Sequence, residues 1–312
     1  MTVIKVAAVQ ASPVYYDLAK TLDKAIQFIE NAAAQGAQLV AFPETFLPGY
    51  PAFVDTSPGF ALWRSKPTKE LYARMMENSV AVPSAETEAL SKAAKDNSIV
   101  VCIGCSERVI SGPGRGTLYN TQLTFGADGR LLNRHRKVMP TMGERVWWGQ
   151  GDGSSLHAVP TEAGRVGALI CWEHWMPLTR AALHATSEDI HVAAWPRVNE
   201  TNLLASRHYA AEGRCFVIAV GALLRRRDLA LADSSVPPED PDALLLDGAT
   251  TIIGPDGTIL VGPVMNEETL VTAELDLTRI AEESLALDVT GHYSRPDIFQ
   301  LTVNGSNPFK SS

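Results

Sequence analysis

Short runs of consecutive apolar residues, separated by amphipathic helical stretches, constrain the fold of this chain more than any other feature. The runs at residues 3–9, 38–42, 98–104 and 166–170 are apolar at most positions, whereas a strand with one face in water alternates apolar and polar residues. Residues 17–34 lie between the first two runs, and their apolar residues recur at helical spacings of three and four. This β-α-β order predicts mixed sheets covered by helices on both faces.

The rest of the chain continues the same alternation without a linker. Further helices are predicted at residues 68–79, 84–96, 177–185 and 201–213, and further strands at 118–125, 131–134, 190–194, 215–220, 249–253, 258–261 and 270–275. The stretch from Arg227 to Asp242 is rich in Asp and Pro and is interpreted as a surface loop. We therefore expect residues 1–312 to form a single α/β domain.

Composition excludes several classes of protein. The net charge is −8 and the longest basic run is Arg225–Arg227, which does not favour nucleic acid as a partner. The longest apolar run, residues 216–224, is too short to span a membrane, and the first ten residues lack the pattern of a signal peptide. Four cysteines in 312 residues do not build a disulfide scaffold. A cytoplasmic location with reduced thiols is the expectation.

Familiar catalytic and metal motifs are missing from the sequence. It has no G-x-S-x-G, no H-E-x-x-H and no Walker A loop, and its histidines and cysteines do not cluster as zinc ligands do. Cys102 and Cys105 form a C-x-x-C pair within a predicted strand, where an offset of three places side chains on opposite faces. We interpret both as buried structural cysteines, and we expect neither metal nor cofactor.

Three residues with complementary chemistry each follow a predicted strand directly. Cys171 ends the strand at 166–170 and precedes a turn into a helix, whose N-terminus would favour a thiolate. Glu44 follows the strand at 38–42, and Lys137 follows the strand at 131–134. Sites in open α/β sheets lie beyond the carboxyl ends of strands. A thiol, an acid and an ammonium at such ends indicate nucleophilic catalysis.

These residues lie in motifs that resemble those of the nitrilase superfamily of carbon–nitrogen hydrolases, and within it the true nitrilases. Ala41–Phe46 resembles the family's glutamate motif, Arg136–Arg145 its lysine motif and Gly167–His174 its nucleophile motif. The Cys-Trp-Glu-His run and the segment Gly291–Asp297 resemble the nitrilase branch rather than the amidases. The similarity extends from about Val3 to Asp297.

The resemblance implies a four-layer αββα sandwich, with a catalytic core at about 3–277 and a C-terminal extension at about 278–312. It implies a homo-oligomer built from dimers, and hydrolysis of a nitrile to the acid and ammonia through a thioimidate and a thioester. In this scheme Cys171 is the nucleophile, Glu44 the general base and Lys137 the stabilising cation. Glu144 would position the substrate, assisted by the backbone N–H of Trp172.

Several alternatives remain open at the level of sequence. Within the superfamily these are an amidase, a cyanide-hydrating relative and an aliphatic nitrile or dinitrile hydrolase. Outside it they are a non-catalytic binding protein and a thiol–disulfide oxidoreductase built on Cys102 and Cys105. The chain ends soon after Asp297, whereas many nitrilases carry a longer tail associated with filaments, so filament formation is not implied here.

The tryptophans lead to an expectation about the substrate. Five of the six, all except Trp63, fall between residues 147 and 195, the segment that also contains Cys171. Tryptophan often lines apolar pockets. We therefore expect Trp148, His174 and Trp195 to line the pocket beside the small Gly143, and we expect a preference for arylaliphatic nitriles.

Overall fold

The structure is a computed structural model, which describes residues 3–56, 62, 64–232 and 240–305. Its strands, in chain order, are β1 (Val3–Gln10), β2 (Leu39–Ala41), β3 (Val100–Arg108), β4 (Leu118–Phe125), β5 (Leu131–Arg136), β6 (Val159–Thr161), β7 (Gly164–Ile170), β8 (Ile190–Ala194), β9 (Phe216–Val220), β10 (Leu223–Arg225), β11 (Leu244–Ile253), β12 (Ile259–Met265) and β13 (Thr269–Asp276). The α-helices are α1 (Leu18–Ala34), α2 (Phe53–Thr56), α3 (Lys66–Glu77), α4 (Ala85–Asp96), α5 (Pro177–His184), α6 (Glu200–Gly213), α7 (Arg226–Ala232) and α8 (Thr278–Ser284).

The strands form two mixed sheets. The first has the order β13-β1-β2-β3-β4-β5, and the second has the order β10-β11-β9-β8-β7-β6 with β12 paired to β11. Strands β1, β2 and β3 are mutually parallel, as are β7, β8 and β9. Because β4 is antiparallel to both β3 and β5, β5 runs in the same direction as β3. The carboxyl ends of β2 and β5 therefore lie at the same edge of the first sheet.

Three apolar layers hold the sheets and helices together. The inner layer contains residues of both sheets, among them Val6, Val100, Val192 and Ile218. A second layer packs α1 and α4 against the first sheet, and a third packs α5 and α6 against the second. Burial of both faces explains why the strands are almost continuously apolar. The order helix–sheet–sheet–helix confirms the predicted αββα sandwich.

The predicted elements match those of the structure to within about five residues at their ends, whereas the short elements α2, β6 and β10 were not predicted. Residues 227–232, predicted as part of a surface loop, belong to α7. This prediction was wrong because Asp and Pro downstream dominated the composition of the segment, whereas Leu229 is fully buried and anchors a turn of helix. Residues 233–239 of the same predicted loop, and Trp63, lie outside the described residues.

The cysteine pair is placed as expected. Cys102 lies in the layer between the sheets and Cys105 in the layer beneath α1 and α4, so their side chains are on opposite faces of β3. All four cysteines are free and buried. Within the described part of the chain, no helix is both long and apolar enough to cross a membrane.

The two sheets approach each other closely at the edge where β2 and β8 end. The backbone N–H of Glu44 donates a hydrogen bond to the carbonyl of Trp195, 3.3 Å away. Gly104 on β3 lies directly behind this turn: a Cβ atom there would lie 2.4 Å from the carbonyl oxygen of Pro43 and 2.5 Å from the amide nitrogen of Thr45. The turn that presents Glu44 therefore requires glycine at position 104.

We predict that Gly104→Ala destabilises the protein by about 1–3 kcal/mol, the typical cost of overpacking. Both contacted atoms belong to the backbone, so the turn around Glu44 has to move. Thermal unfolding should show a melting temperature several degrees below that of the wild type. Gly305→Ala is the matched control, because the added methyl group there meets nothing closer than 3.8 Å. Equal melting temperatures for the two variants would contradict the prediction.

Candidate active site

Three strained turns present the functional side chains at the strand ends. Cys171 follows β7 directly and begins the 3-10 helix Cys171–Trp175. Its φ angle is +53°, in the left-handed region that non-glycine residues rarely adopt. Thr45, next to Glu44, has a φ of +48°, and Met142, two residues before Glu144, has a φ of +38°. Such strain persists where the surrounding structure enforces it, and it is common at functional sites.

The three turns bring Glu44, Glu144 and Cys171 together around Lys137, which directly follows β5. The Lys137 ammonium donates hydrogen bonds to Glu44 Oε1 and to Glu144 Oε2, each at 2.8 Å. A carboxylate oxygen of each glutamate and the Cys171 sulfur lie within 4.8 Å of one another. Glu44, Lys137 and Glu144 are at most 2% exposed, and Cys171 is 5% exposed. The sequence-predicted acid, ammonium and thiol therefore share one buried cluster.

Glu44 has one occupied and one free carboxylate oxygen. Oε1 accepts from Lys137 and, at 2.6 Å, from the Asn120 amide. Within the described part of the chain, no group hydrogen-bonds to the buried Oε2. Burial raises the pKa of Glu44 to about 7 against the opposing charge of Lys137. A carboxyl group with this pKa can accept and return a proton near neutral pH.

The thiol of Cys171 is protonated at rest. Burial and the neighbouring Glu44 raise its pKa well above the ordinary value, although Lys137 and the Trp172 N–H, which donates to the sulfur, oppose the shift. The expectation that the helix N-terminus would favour a resting thiolate is therefore not met. The helix is a single short 3-10 turn, and its effect is smaller than that of burial beside a carboxylate. The thiolate has to be generated by a base.

Lys137 supplies the positive charge of the cluster. Although burial opposes ionisation, the neighbouring carboxylates of Glu44 and Glu144 hold the pKa of Lys137 well above its ordinary value. Glu44, Glu144 and Cys171 would by themselves be a possible set of metal ligands. The ammonium lies between the two carboxylates, in the position where such a set would hold a cation.

Three further residues support the cluster and were not predicted from sequence. The Tyr50 hydroxyl donates to Glu144 Oε1 at 2.9 Å, and Asn120 holds Glu44. Glu173 accepts from the backbone N–H groups of Val138 and Ile170, each at 2.7 Å, and so joins the lysine segment to the nucleophile turn. The available signals were the polar run that includes Asn120 in β4 and an acidic residue two positions after the nucleophile.

A cavity of about 410 Å³ opens onto Cys171. The polar groups of its wall belong to Thr141, Glu144, Arg197, Asn199 and Asn202. Most of the remaining wall is apolar or aromatic and consists of Tyr50, Ala52, Trp172, Pro196, Leu245 and Leu246. Trp172 is half exposed at this cavity. The cavity is the candidate substrate pocket, since apolar walls with a few convergent polar groups are typical of small-molecule sites.

Trp148, His174 and Trp195 do not line this cavity, which corrects the sequence-based expectation. Trp148 is buried and donates from its indole N–H to Ser106. Trp195 is buried behind the nucleophile, where its ring stacks on that of His174 with centroids 4.8 Å apart. Nearness in sequence did not place these side chains in the pocket, because residues at a strand end can point into the layer behind the sheet. Gly143 is small because Val54 packs against it.

Comparison with known proteins gives concordant results. The sequence profile of the carbon–nitrogen hydrolase family matches residues 5–283. An aliphatic nitrilase of Sinorhizobium fredii (strain HH103) is 40% identical over 304 residues, which cover 97% of this chain and 96% of the relative. Nitrilase 3 of Arabidopsis thaliana is 40% identical, covering 96% and 87%. The crystal structure of a carbon–nitrogen hydrolase from Helicobacter pylori G27 superposes with a TM-score of 0.72 at 18% identity, covering 95% and 97%, and supports the fold.

We predict opposite changes in thiol reactivity when the two charges beside Cys171 are removed. Glu44→Gln should lower the pKa of the Cys171 thiol and accelerate its alkylation by iodoacetamide at pH 8. Lys137→Met should raise that pKa and slow alkylation. A change of about tenfold corresponds to one pKa unit. Cys171→Ala is the control, because the other three cysteines are fully buried. Changes in the same direction in both variants would contradict the electrostatic account.

Proposed function

We propose that this chain, which belongs to the carbon–nitrogen hydrolase family and is a nitrilase, catalyses nitrile hydrolysis through Cys171 as nucleophile, Glu44 as general base and Lys137 as stabilising cation. The observation that carries this assignment is the free oxygen of Glu44. Oε2 is buried, has no hydrogen-bond partner among the described residues, and belongs to a carboxyl group close to a protonated thiol. That oxygen can accept the thiol proton without breaking an existing hydrogen bond.

The reaction follows from this placement. Glu44 takes the proton of Cys171, the sulfur attacks the nitrile carbon, and the nitrile nitrogen is protonated to give a thioimidate. Glu44 then deprotonates a water molecule that adds to the same carbon. Protonation and departure of ammonia leave a thioester, and a second water releases the carboxylic acid and restores the thiol. Lys137 and the Trp172 N–H stabilise the negative charge that develops in each addition.

Glu144 is proposed to position the substrate rather than to transfer protons. Its two oxygens accept from Lys137, Tyr50 and the backbone N–H of Thr141. These contacts leave it well held at the cavity wall, between the ammonium and the pocket. It fixes the position of the Lys137 ammonium and borders the space that the nitrile carbon must enter.

We predict that Cys171→Ala abolishes turnover, and that Glu44→Gln and Lys137→Ala each reduce kcat/KM by about 10²–10⁴-fold. The physical reason is the loss of the nucleophile, the proton acceptor and the balancing charge, respectively. Ammonia release from a simple nitrile measures all three. Cys215→Ala is the matched control, because this buried cysteine lies in the layer behind the second sheet and should be dispensable. Turnover by Cys171→Ala, or a loss below tenfold in either other variant, would remove that residue from the mechanism.

The substrate class is proposed from the cavity itself. The rings of Tyr50 and Trp172 face the pocket together with Pro196, Leu245 and Leu246. An arylaliphatic nitrile would bury more apolar area against this wall than a short aliphatic one, at about 25 cal/mol per Å². The names of relatives, among them the aliphatic nitrilase of Sinorhizobium fredii, favour the alternative of an aliphatic substrate.

The ratio of kcat/KM for phenylacetonitrile to that for a short aliphatic nitrile decides between these classes. We expect the ratio to exceed one, and to fall when Trp172→Ala removes an aromatic wall of the pocket. A tenfold advantage for the aliphatic substrate would instead assign the pocket to small nitriles.

A homo-oligomer built from dimers is proposed as the assembly. The outer helices carry exposed leucines, Leu178 on α5 and Leu204 on α6. The C-terminal extension after α8 exposes further large apolar side chains, namely Leu285, Tyr293, Ile298, Phe299, Leu301 and Val303. Exposed apolar surface of this kind is typical of protein interfaces. Light scattering should give at least twice the chain mass of 33.7 kDa, whereas a monomer would overturn the proposal.

The free, buried cysteines suit a reducing compartment such as the cytoplasm.

A further inference from the structure

A chain of buried polar groups that the proposed mechanism does not use leads to the back of the nucleophile turn. His174 Nδ1 lies 2.7 Å from the carbonyl oxygen of Cys171. His174 Nε2 lies 2.9 Å from Nε2 of His191, and His191 Nδ1 lies 2.6 Å from Glu188 Oε1. All three side chains are at most 5% exposed. The contacts therefore form one continuous path from a carboxylate to the peptide group of the nucleophile.

The number of protons in this path follows from its acceptors. A carbonyl oxygen and a carboxylate only accept hydrogen bonds, so His174 Nδ1 and His191 Nδ1 must each carry a proton. The two Nε2 atoms face each other, and a hydrogen bond between them needs one more proton. The two rings together hold three protons and therefore one positive charge.

The charge resides on His191, the ring beside the carboxylate. Burial and the neighbouring His191 lower the pKa of His174 well below its usual value, so His174 is the neutral ring. Although burial opposes it, His191 and His184 lower the pKa of Glu188 to about 2, so Glu188 is ionised. The Tyr209 hydroxyl donates to Glu188 Oε2 at 2.5 Å, and the Tyr209 ring stacks on His191.

The backbone makes room for this carboxylate. A Cβ atom at Gly167 on β7 would lie 1.8 Å from Glu188 Oε1. No side chain larger than hydrogen fits at position 167 unless Glu188 moves away from His191. Gly167, in the strand that ends next to Cys171, is therefore required for Glu188 to reach His191.

The peptide group at the end of the path faces the reacting atoms. The Cys171–Trp172 peptide bond is trans, so its C=O and N–H point in opposite directions. The C=O accepts from His174, and the N–H donates to the Cys171 sulfur. A hydrogen bond donated to the carbonyl of a peptide group strengthens the N–H of the same group as a donor.

We propose that Glu188, His191 and His174 are positioning residues that orient and polarise the Cys171–Trp172 peptide group, so that its N–H stabilises the negative charge formed in each addition step. This proposal rests on the proposed function, in which Cys171 is the nucleophile. In this hydrogen-bond relay, His191 donates to His174 and His174 donates to the Cys171 carbonyl, both toward the reaction centre, while His191 Nδ1 donates to Glu188 and anchors the far end. The relay also restrains the strained φ of Cys171 by fixing the carbonyl of that residue.

The first test compares His191→Phe with His184→Gln by steady-state kinetics and thermal unfolding. His191→Phe removes the middle of the relay. We expect kcat to fall on the order of tenfold to a hundredfold, which is less than the fall caused by removing an oxyanion donor itself. KM should stay within about threefold of the wild-type value. His184→Gln is the matched control, because His184 is buried near Glu188 but lies off the path to Cys171. A folded His191→Phe variant with kcat within threefold of the wild type would overturn the proposal.

The second test changes the charge at the far end of the relay and keeps the shape of the side chain, since a purely structural role would not depend on that charge. Glu188→Gln keeps an oxygen that can accept from His191 Nδ1 but removes its negative charge, so the hydrogen bonds of the relay are no longer charge-assisted. We expect kcat to fall by about tenfold while KM stays within about threefold of the wild type. A kcat for a folded Glu188→Gln variant within threefold of the wild type would contradict the relay.

The third test is rescue at His174, which decides the question even if His191→Phe does not fold. Asn carries an amide N–H at the δ position and can still donate to the Cys171 carbonyl, whereas Leu cannot. We expect His174→Asn to retain at least tenfold more kcat than His174→Leu, and equal activities would overturn the proposal. Turnover by Cys171→Ala would refute the proposed function itself. An inactive Cys171→Ala together with a fully active His191→Phe would refute only the relay.

Discussion

The buried ammonium of Lys137 between Glu44 and Glu144 is the interaction on which the rest of the site depends. The two carboxylates and the thiol lie close together with almost no exposure to water. Any two of these groups would repel each other if both were ionised. One fixed positive charge balances Glu144, which three donors hold, and leaves Glu44 able to change its protonation state. The raised pKa of Glu44 and the protonated thiol both follow from this shared, water-poor environment.

Hydrogen bonds from the surrounding structure hold the strained backbone of this site in place. Glu173 ties the lysine segment to the nucleophile turn, and His135 contacts its second oxygen at 2.8 Å. Although burial opposes it, His135 and the two backbone N–H groups lower the pKa of Glu173, which keeps it an acceptor. The positive φ at Cys171 is therefore held from one side by Glu173 and from the other by the path through His174. Rigid turns at the ends of buried strands allow reacting groups to be placed with little reorganisation.

Much of this could be predicted from the sequence because strands and their ends are local features. The continuous apolar runs required burial on both faces, and the positions of Glu44, Lys137 and Cys171 just after predicted strands indicated a site at strand ends. The structure divides these strands between the two sheets, with β2 and β5 in the first and β7 in the second. The roles of these three residues are still proposals, although the structure brings them together. The tryptophans show the limit of the same reasoning. Position along the chain did not reveal whether Trp148 and Trp195 face the pocket or the layer behind it.

The sequence by itself determined the helix-covered mixed sheets and the opposite faces of Cys102 and Cys105, because both depend on periodicity. The order of its motifs determined the resemblance to the family, which in turn implied the αββα sandwich. Only the tertiary structure decided which polar atoms are paired. Asn120, Tyr50 and Glu173 reach the site from separate elements, and Glu188 reaches His191 through the space left by Gly167. The protonation of Glu44 and Cys171 was likewise decided there, because pKa values depend on burial and on charges brought close by folding, which no local pattern of residues records.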